Sequence, residues 1–95
     1  MIVITERATA ALEQILLVNG AERRQGVKLV PDLSGRIGLT IATPDKGDEV
    51  IGSADEPLLI VDSRIKGKLD GSELDCEMAL VQGEEVSEFH LRPAA

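Results

Sequence analysis

The stretch from Pro57 to Cys76 constrains the fold more than any other part of the chain. Leu58, Leu59, Ile60 and Val61 form an unbroken apolar run between Pro57 and Asp62, the pattern of a strand covered on both faces. Asp62 or Ser63 can cap a short helical turn, on which Ile65 and Leu69 share one face. Gly71 then releases the chain into an alternating strand that starts near Glu73. Strand, helical turn and strand must share one core.

The chain has 95 residues, which predicts one domain over residues 1–95. A chain of this size buries roughly 60–65% of its unfolded surface, so it can support one core and not two. Aliphatic residues must build that core, because Phe89 is the sole aromatic. Without Trp or Tyr there is no stacking platform for single-stranded nucleic acid. The net charge of −7 repels phosphate backbones and anionic membranes. Neither a nucleic acid nor a membrane is therefore expected as a partner, and the charge reads as solvation. Cys76 has no second cysteine to pair with. The N-terminal run Met1-Ile2-Val3-Ile4-Thr5-Glu6 lacks the basic and long apolar segments of a signal peptide. No window reaches the roughly 20 apolar residues of a membrane span. The expectation is a cytoplasmic protein.

From the start, Ile2-Val3-Ile4 is β-prone, and Thr5 is placed to cap a helix over residues 6–19, with Glu6 in its first turn. Ala8, Leu12, Ile15, Leu16 and Asn19 fall on one stripe, and Gly20 follows as the stop. Leu17 and Val18 lie off the stripe, where they face a second layer or a partner. Arg23-Arg24 sits in a polar connector with no glycine-rich cradle, so it reads as a solvated loop. Residues 26–31 form a strand that Pro31 ends. Asp32-Leu33-Ser34-Gly35-Arg36 is a turn cluster. Ile37, Leu39 and Ile41 then alternate with Gly38, Thr40 and Ala42, a half-buried strand in which Gly35 and Gly38 suggest a bend or a close backbone approach. Residues 43–48 turn, residues 49–51 form a short strand, and residues 52–56 form a loop. After Gly71, Leu74, Cys76, Met78 and Leu80 share an apolar face, opposite Glu73, Asp75, Glu77 and Ala79. Gln82-Gly83 makes a tight turn, and residues 84–91 return as the partner strand, with Phe89 and Leu91 on the apolar face. Residues 92–95 are expected to fray.

Catalytic chemistry needs acid, base or nucleophile groups gathered in one place. The chain has one Cys and one His. Cys76 lies on an apolar stripe, as a core thiol does, and burial there makes a thiol inert. His90 falls on the polar face beside Glu88, with no second ligand at metal-binding spacing. Asp32, Asp45, Asp48, Asp55 and Asp62 all sit at turns, where aspartate serves the backbone. No catalytic residue, metal ligand or cofactor is assigned, and the chain is read as a non-enzyme.

Several pieces, in their order and spacing, resemble the HesB-like domain of the A-type iron–sulfur carrier family. These are Ile4-Thr5-Glu6-Arg7-Ala8, the segment 27–39 around Leu33-Ser34-Gly35, the acidic pair Asp48-Glu49, the strand end Val61-Asp62, and Leu69-Asp70-Gly71-Ser72-Glu73-Leu74-Asp75, which is similar to the family's Leu-x-Gly-x-x-Ile-Asp. The resemblance spans residues 4–93. It implies a mainly β, α+β fold, a mixed β-sandwich or pseudobarrel with an N-terminal helix and a short second helix.

The same resemblance implies three cluster-holding cysteines, one in a Cys-Ser-Gly loop and two in a Cys-Gly-Cys tail. Here Leu33 stands at the loop position, only Ala94 and Ala95 follow Pro93, and Cys76 stands where the family has an aromatic. Cluster iron needs thiolates, so the expectation is a binding or accessory module that has lost the cluster ligands. The alternative is an iron or iron–sulfur carrier with atypical ligation, Cys76 and His90 being supplied by each subunit of a dimer. The candidate contact site is Leu33, Ser34, Gly35 and Arg36. Two readings of Leu33 stand: ordinary packing in the sandwich, or an exposed contact, with Arg36, for a protein partner or a second copy.

Overall fold

A computed structural model describes residues 1–93 of the chain. The elements run β1 (Val3–Ile4), α1 (Glu6–Val18), β2 (Gly26–Pro31), β3 (Ile37–Ala42), β4 (Glu49–Gly52), β5 (Pro57–Val61), α2 (Lys66–Leu69), β6 (Ser72–Val81) and β7 (Glu84–Pro93). They form two mixed sheets, of order β3-β2-β5-β4 and β1-β6-β7. β2 runs parallel to β5, and β1 runs parallel to β6. The other neighbours are antiparallel. The fold is mainly β with two helices, and its sheets do not close into a barrel.

Helix α1 forms where capping and periodicity agree. The Thr5 hydroxyl accepts from the Ala8 N–H at 3.2 Å, satisfying one of the free donors of the first turn. At the far end Gly20 takes φ +62°. Its N–H donates to the Leu17 carbonyl, and the Ala21 N–H donates to the Leu16 carbonyl, the paired closure that a left-handed residue permits. Ala8 and Leu12 are fully buried, while Leu17 and Val18 are exposed. Burying a leucine such as Leu12 is worth about 2 kcal/mol.

The core lies between the two sheets, under α1. Val27, Leu29, Leu59 and Val61 come from one sheet, and Leu74 and Cys76 come from the other, closed off by Ile2, Ile65 and Leu69. Ile60 is equally buried but points to the other face of β5, beside Lys28 and Val50. Strand β5 is therefore covered on both sides, as its unbroken apolar run predicts.

Several expectations need correction. The apolar stripe of β6 enters the core only at Leu74 and Cys76; Met78 and Leu80 are 62% and 74% exposed. β6 and β7 each have ten residues, whereas β1 has two, so the far half of the hairpin overhangs the core. Asp75, which alternation puts opposite the apolar face with Glu73 and Glu77, is 1% exposed. Residues 92 and 93 do not fray: β7 continues to Pro93, and Arg92 is paired. Ala94 and Ala95, read as part of the same frayed end, lie outside the described residues. Finally, α2 begins after Ile65 with no side-chain cap. The Asp62 carboxylate accepts instead from the Arg64 N–H at 2.8 Å, and the Asp62 carbonyl accepts from Ile65 and Lys66.

Gly38 does not mark a close approach, because a Cβ there meets Val30 only at 3.9 Å. The close approaches are at Gly26, where a Cβ falls 2.8 Å from the Pro57 carbonyl oxygen, and at Gly52. No helix of the described residues is long and apolar enough to cross a membrane.

Candidate contact loop and buried charge clusters

The loop between β2 and β3 is held from within. Oδ1 of Asp32 accepts from the Ser34 N–H at 2.8 Å, the Ser34 hydroxyl at 2.6 Å and the Arg36 N–H at 2.9 Å. The Asp32 N–H donates to the Arg36 carbonyl, and the Gly35 N–H donates to the Asp32 carbonyl. Gly35 supplies the left-handed step at φ +84°. The Ser34 hydroxyl, then the backbone N–H groups of Arg36, Ser34 and Gly35, hold the Asp32 carboxyl below the usual aspartate range. Leu33 stands at the tip with its side chain fully in solvent, at 109% relative exposure. Of the two readings of Leu33, packing in the sandwich is thereby excluded. Ser34, Gly35 and Arg36 are exposed beside it.

Cys76 and His90 do not come together within one chain. Cys76 pairs with Phe89, and His90 pairs with Asp75. Directly opposed residues share a sheet face and successive residues alternate, so the two lie on opposite faces of the hairpin. Cys76 is 4% exposed and forms part of the floor of a groove of ≈ 830 Å³ between α1 and the hairpin, with Ala11, Ile15 and Met78. His90 is half-exposed, 3.8 Å from the carboxylates of both Glu77 and Glu88. Among the described residues, no three His, Cys, Asp or Glu side chains gather as a metal-holding group.

Two charge clusters emerge that the turn-by-turn reading does not give. Lys28 sits mid-strand in β2, 5% exposed. Its ammonium lies 2.8 Å from Asp48, 3.0 Å from Asp45 and 3.7 Å from Asp62. The hydrogen bond to Asp48 raises the Lys28 pKa against the pull of burial. Burial would raise Asp48 as well, but Lys28 and the N–H groups of Asp45 and Ser63 bring it below the usual range. Asp62 is held far lower, first by the Arg64 guanidinium and N–H. The cluster pins the 43–48 turn to the β2–β5 pair. The available signal was a lysine inside the apolar run Val27-Lys28-Leu29-Val30, since a charge there must find a partner.

The second cluster surrounds Asp75. Thr5 Oγ1 donates to it at 2.6 Å, Arg7 approaches at 2.5 Å, Arg92 lies at 3.0 Å, and the Cys76 N–H donates at 2.8 Å. Thr5 and then Arg7 hold the Asp75 carboxyl far below the ordinary range. This carboxylate ties the start of α1 to both strands of the hairpin.

No family model and no curated protein matches the sequence. The fold is shared with solved structures, among them two iron–sulfur proteins. Escherichia coli SufA, described as involved in biosynthesis of iron–sulfur clusters, superposes with a TM-score of 0.65 at 20% identity, over 94% of this chain and 83% of SufA. IscA, solved with its [2Fe-2S] cluster, superposes with a TM-score of 0.54 at 18% identity, over 95% of this chain and 84% of IscA. The two mixed sheets, the capped first helix and the turn-and-strand unit of residues 57–76 thus make up the HesB-like fold seen in SufA and IscA.

Proposed function

We propose that this chain is a non-enzymatic binding or accessory module on the iron–sulfur carrier scaffold, docking a protein through the 32–36 loop rather than holding a cluster. The observation that carries this reading is Leu33, fully exposed at the tip of a turn braced by Asp32. A rigid loop loses little conformational freedom on binding, and an apolar side chain flanked by an arginine suits an interface anchor. In the family that the sequence resembles, this loop offers a thiolate. Leu33 offers no donor to iron. Cys76 is buried on the other sheet. The residues present do not fit a cluster.

Anaerobic reconstitution with iron and sulfide, followed by visible absorption, tests the loss of cluster binding. The expected result is no stoichiometric chromophore. A stoichiometric cluster overturns the proposal and favours ligation shared between subunits through Cys76 and His90.

A further inference from the structure

The edges of the two sheets are unequally protected. β1 has two residues. β4 starts at Glu49 and ends in an irregular step at Gly52. β7 carries Glu84, Glu85, Glu88, Arg92 and Pro93. Short length, bulges, charge and proline are the usual guards against strand addition. β3, Ile37–Ala42, has six residues and carries neither a charge nor a proline. In a chain that is 28% charged, this is the one unguarded edge among the described strands.

Its backbone polarity can be read from the adjoining loop. The Asp32 N–H donates to the Arg36 carbonyl at 2.8 Å, which makes that pair hydrogen-bonded. Alternation along the β2–β3 register then directs the N–H and C=O groups of Gly38 and Thr40 toward β2. Those of Ile37, Leu39 and Ile41 are directed away from it, into solvent. The side chains of the same residues lie opposite Pro31, Leu29 and Val27, on the core face. Yet Ile37 and Leu39 remain 38% and 44% exposed, because the sheet ends there.

We propose that β3 pairs with β3 of a second copy, antiparallel and centred on Leu39. That register sets Leu39 against Leu39 of the second copy and Ile37 against its Ile41. Every residue with outward backbone groups then meets one like it, and the half-exposed apolar side chains stay on one face. A register centred on Thr40 would pair Leu39 with Ile41 but set Ile37 against Thr43, beyond the end of β3, so fewer of the outward groups find partners. Two copies that each carry −7 repel, and an uncharged strand is the place where they approach at least cost. The pairing joins two four-stranded sheets into one. It does not rest on the loop proposal, since Leu39 lies outside residues 32–36 and either idea can fail alone.

Sedimentation velocity from about 1 µM to about 1 mM, the span of moderate to weak association, gives the first test. The wild type is expected to dimerise, and Leu39→Lys to raise the dissociation constant at least about tenfold while keeping its cooperative melt. A wild type that stays monomeric throughout, or a folded Leu39→Lys that dimerises as the wild type does, overturns the proposal. Cross-linking tests the register independently. In a Cys76→Ala background, Leu39→Cys places two thiols on residues whose Cα atoms are about 5.5 Å apart, within disulfide range. Ile37→Cys places them on residues about 14 Å apart. Preferential oxidation of Leu39→Cys to a covalent dimer supports the pairing; no preference overturns it.

Discussion

The Lys28 ammonium and the Asp48 carboxylate meet at 2.8 Å, both side chains almost wholly removed from water. The contact joins the middle of β2 to the turn before β4. It carries the covered second face of the larger sheet, because Lys28 is directly opposed to the buried Ile60.

Removing one partner of a buried pair strands the other. Lys28→Met is expected to cost about 3 kcal/mol, read from urea unfolding. The pH dependence follows from the two shifts. Asp48 is lowered, so its contribution is present above the unfolded carboxylate pKa of about 3.9 and fades as pH falls through the folded value. Lys28 is raised, so its contribution is full below about pH 10.4 and fades as pH rises through the folded value. Wild-type stability should therefore fall at both extremes, and Lys28→Met should flatten the alkaline fall. An unchanged alkaline limb in the variant would rule this assignment out.

Asp75 should carry, together with Asp62, much of the acid limb. Its carboxyl is lowered by Thr5, Arg7 and the Cys76 N–H. The stability it confers is present above about pH 3.9 and is lost progressively below it. Asp75→Asn should lower the melting temperature at pH 7 and make the variant less sensitive than wild type between about pH 4 and pH 2. Parallel acid titrations of the two proteins check this, and curves of equal steepness would place the acid-sensitive group elsewhere.

Cys76 should react slowly with thiol reagents in the native state and quickly in denaturant. Cys76→Ser places a hydroxyl among apolar neighbours, at an expected cost of about 1–3 kcal/mol. Fast native labelling would mean that the floor of the α1–hairpin groove opens.

Leu33→Asp should change stability by less than about 0.5 kcal/mol, since the side chain touches no core, and should weaken capture of a protein partner. Melting and partner capture are measured together. Unchanged capture removes the loop as a contact site, whatever the melt shows.

The glycines give a paired test. At Gly52, φ is +106° and a Cβ would fall 2.9 Å from the Leu58 nitrogen, so Gly52→Ala should cost about 2–3 kcal/mol. At Gly38 a Cβ finds only ordinary contact, and Gly38→Ala should stabilise by about 0.5 kcal/mol through the unfolded chain. Comparable losses in both would show that β3 tolerates no Cβ at position 38.

The elements were legible because their signals are local. Thr5, the Ala8–Leu12 stripe and Gly20 set the first helix, and Gln82-Gly83, both at positive φ, set the hairpin turn. The apolar run 58–61 announced a strand buried on both sides. The outcome for Leu33 was not legible, since an isolated leucine in a turn carries no period. Only the Asp32 hydrogen bonds fix which way the tip points.

The sequence by itself determined which residues form helix, strand and turn, which apolar faces exist, and through Leu69-Asp70-Gly71 and its neighbours the kind of fold. It did not determine how far each face is covered or which charges meet. Met78 and Leu80 continue the period of Leu74 and Cys76 but extend past the helix that covers those two. Asp75 alternates like a surface residue, yet lies beneath Arg7 and Arg92, from the two ends of the chain. Lys28 finds Asp45, Asp48 and Asp62 across two connections. Coverage and charge pairing depend on contacts between residues far apart in the chain, and only the packing of the two sheets brings those residues together.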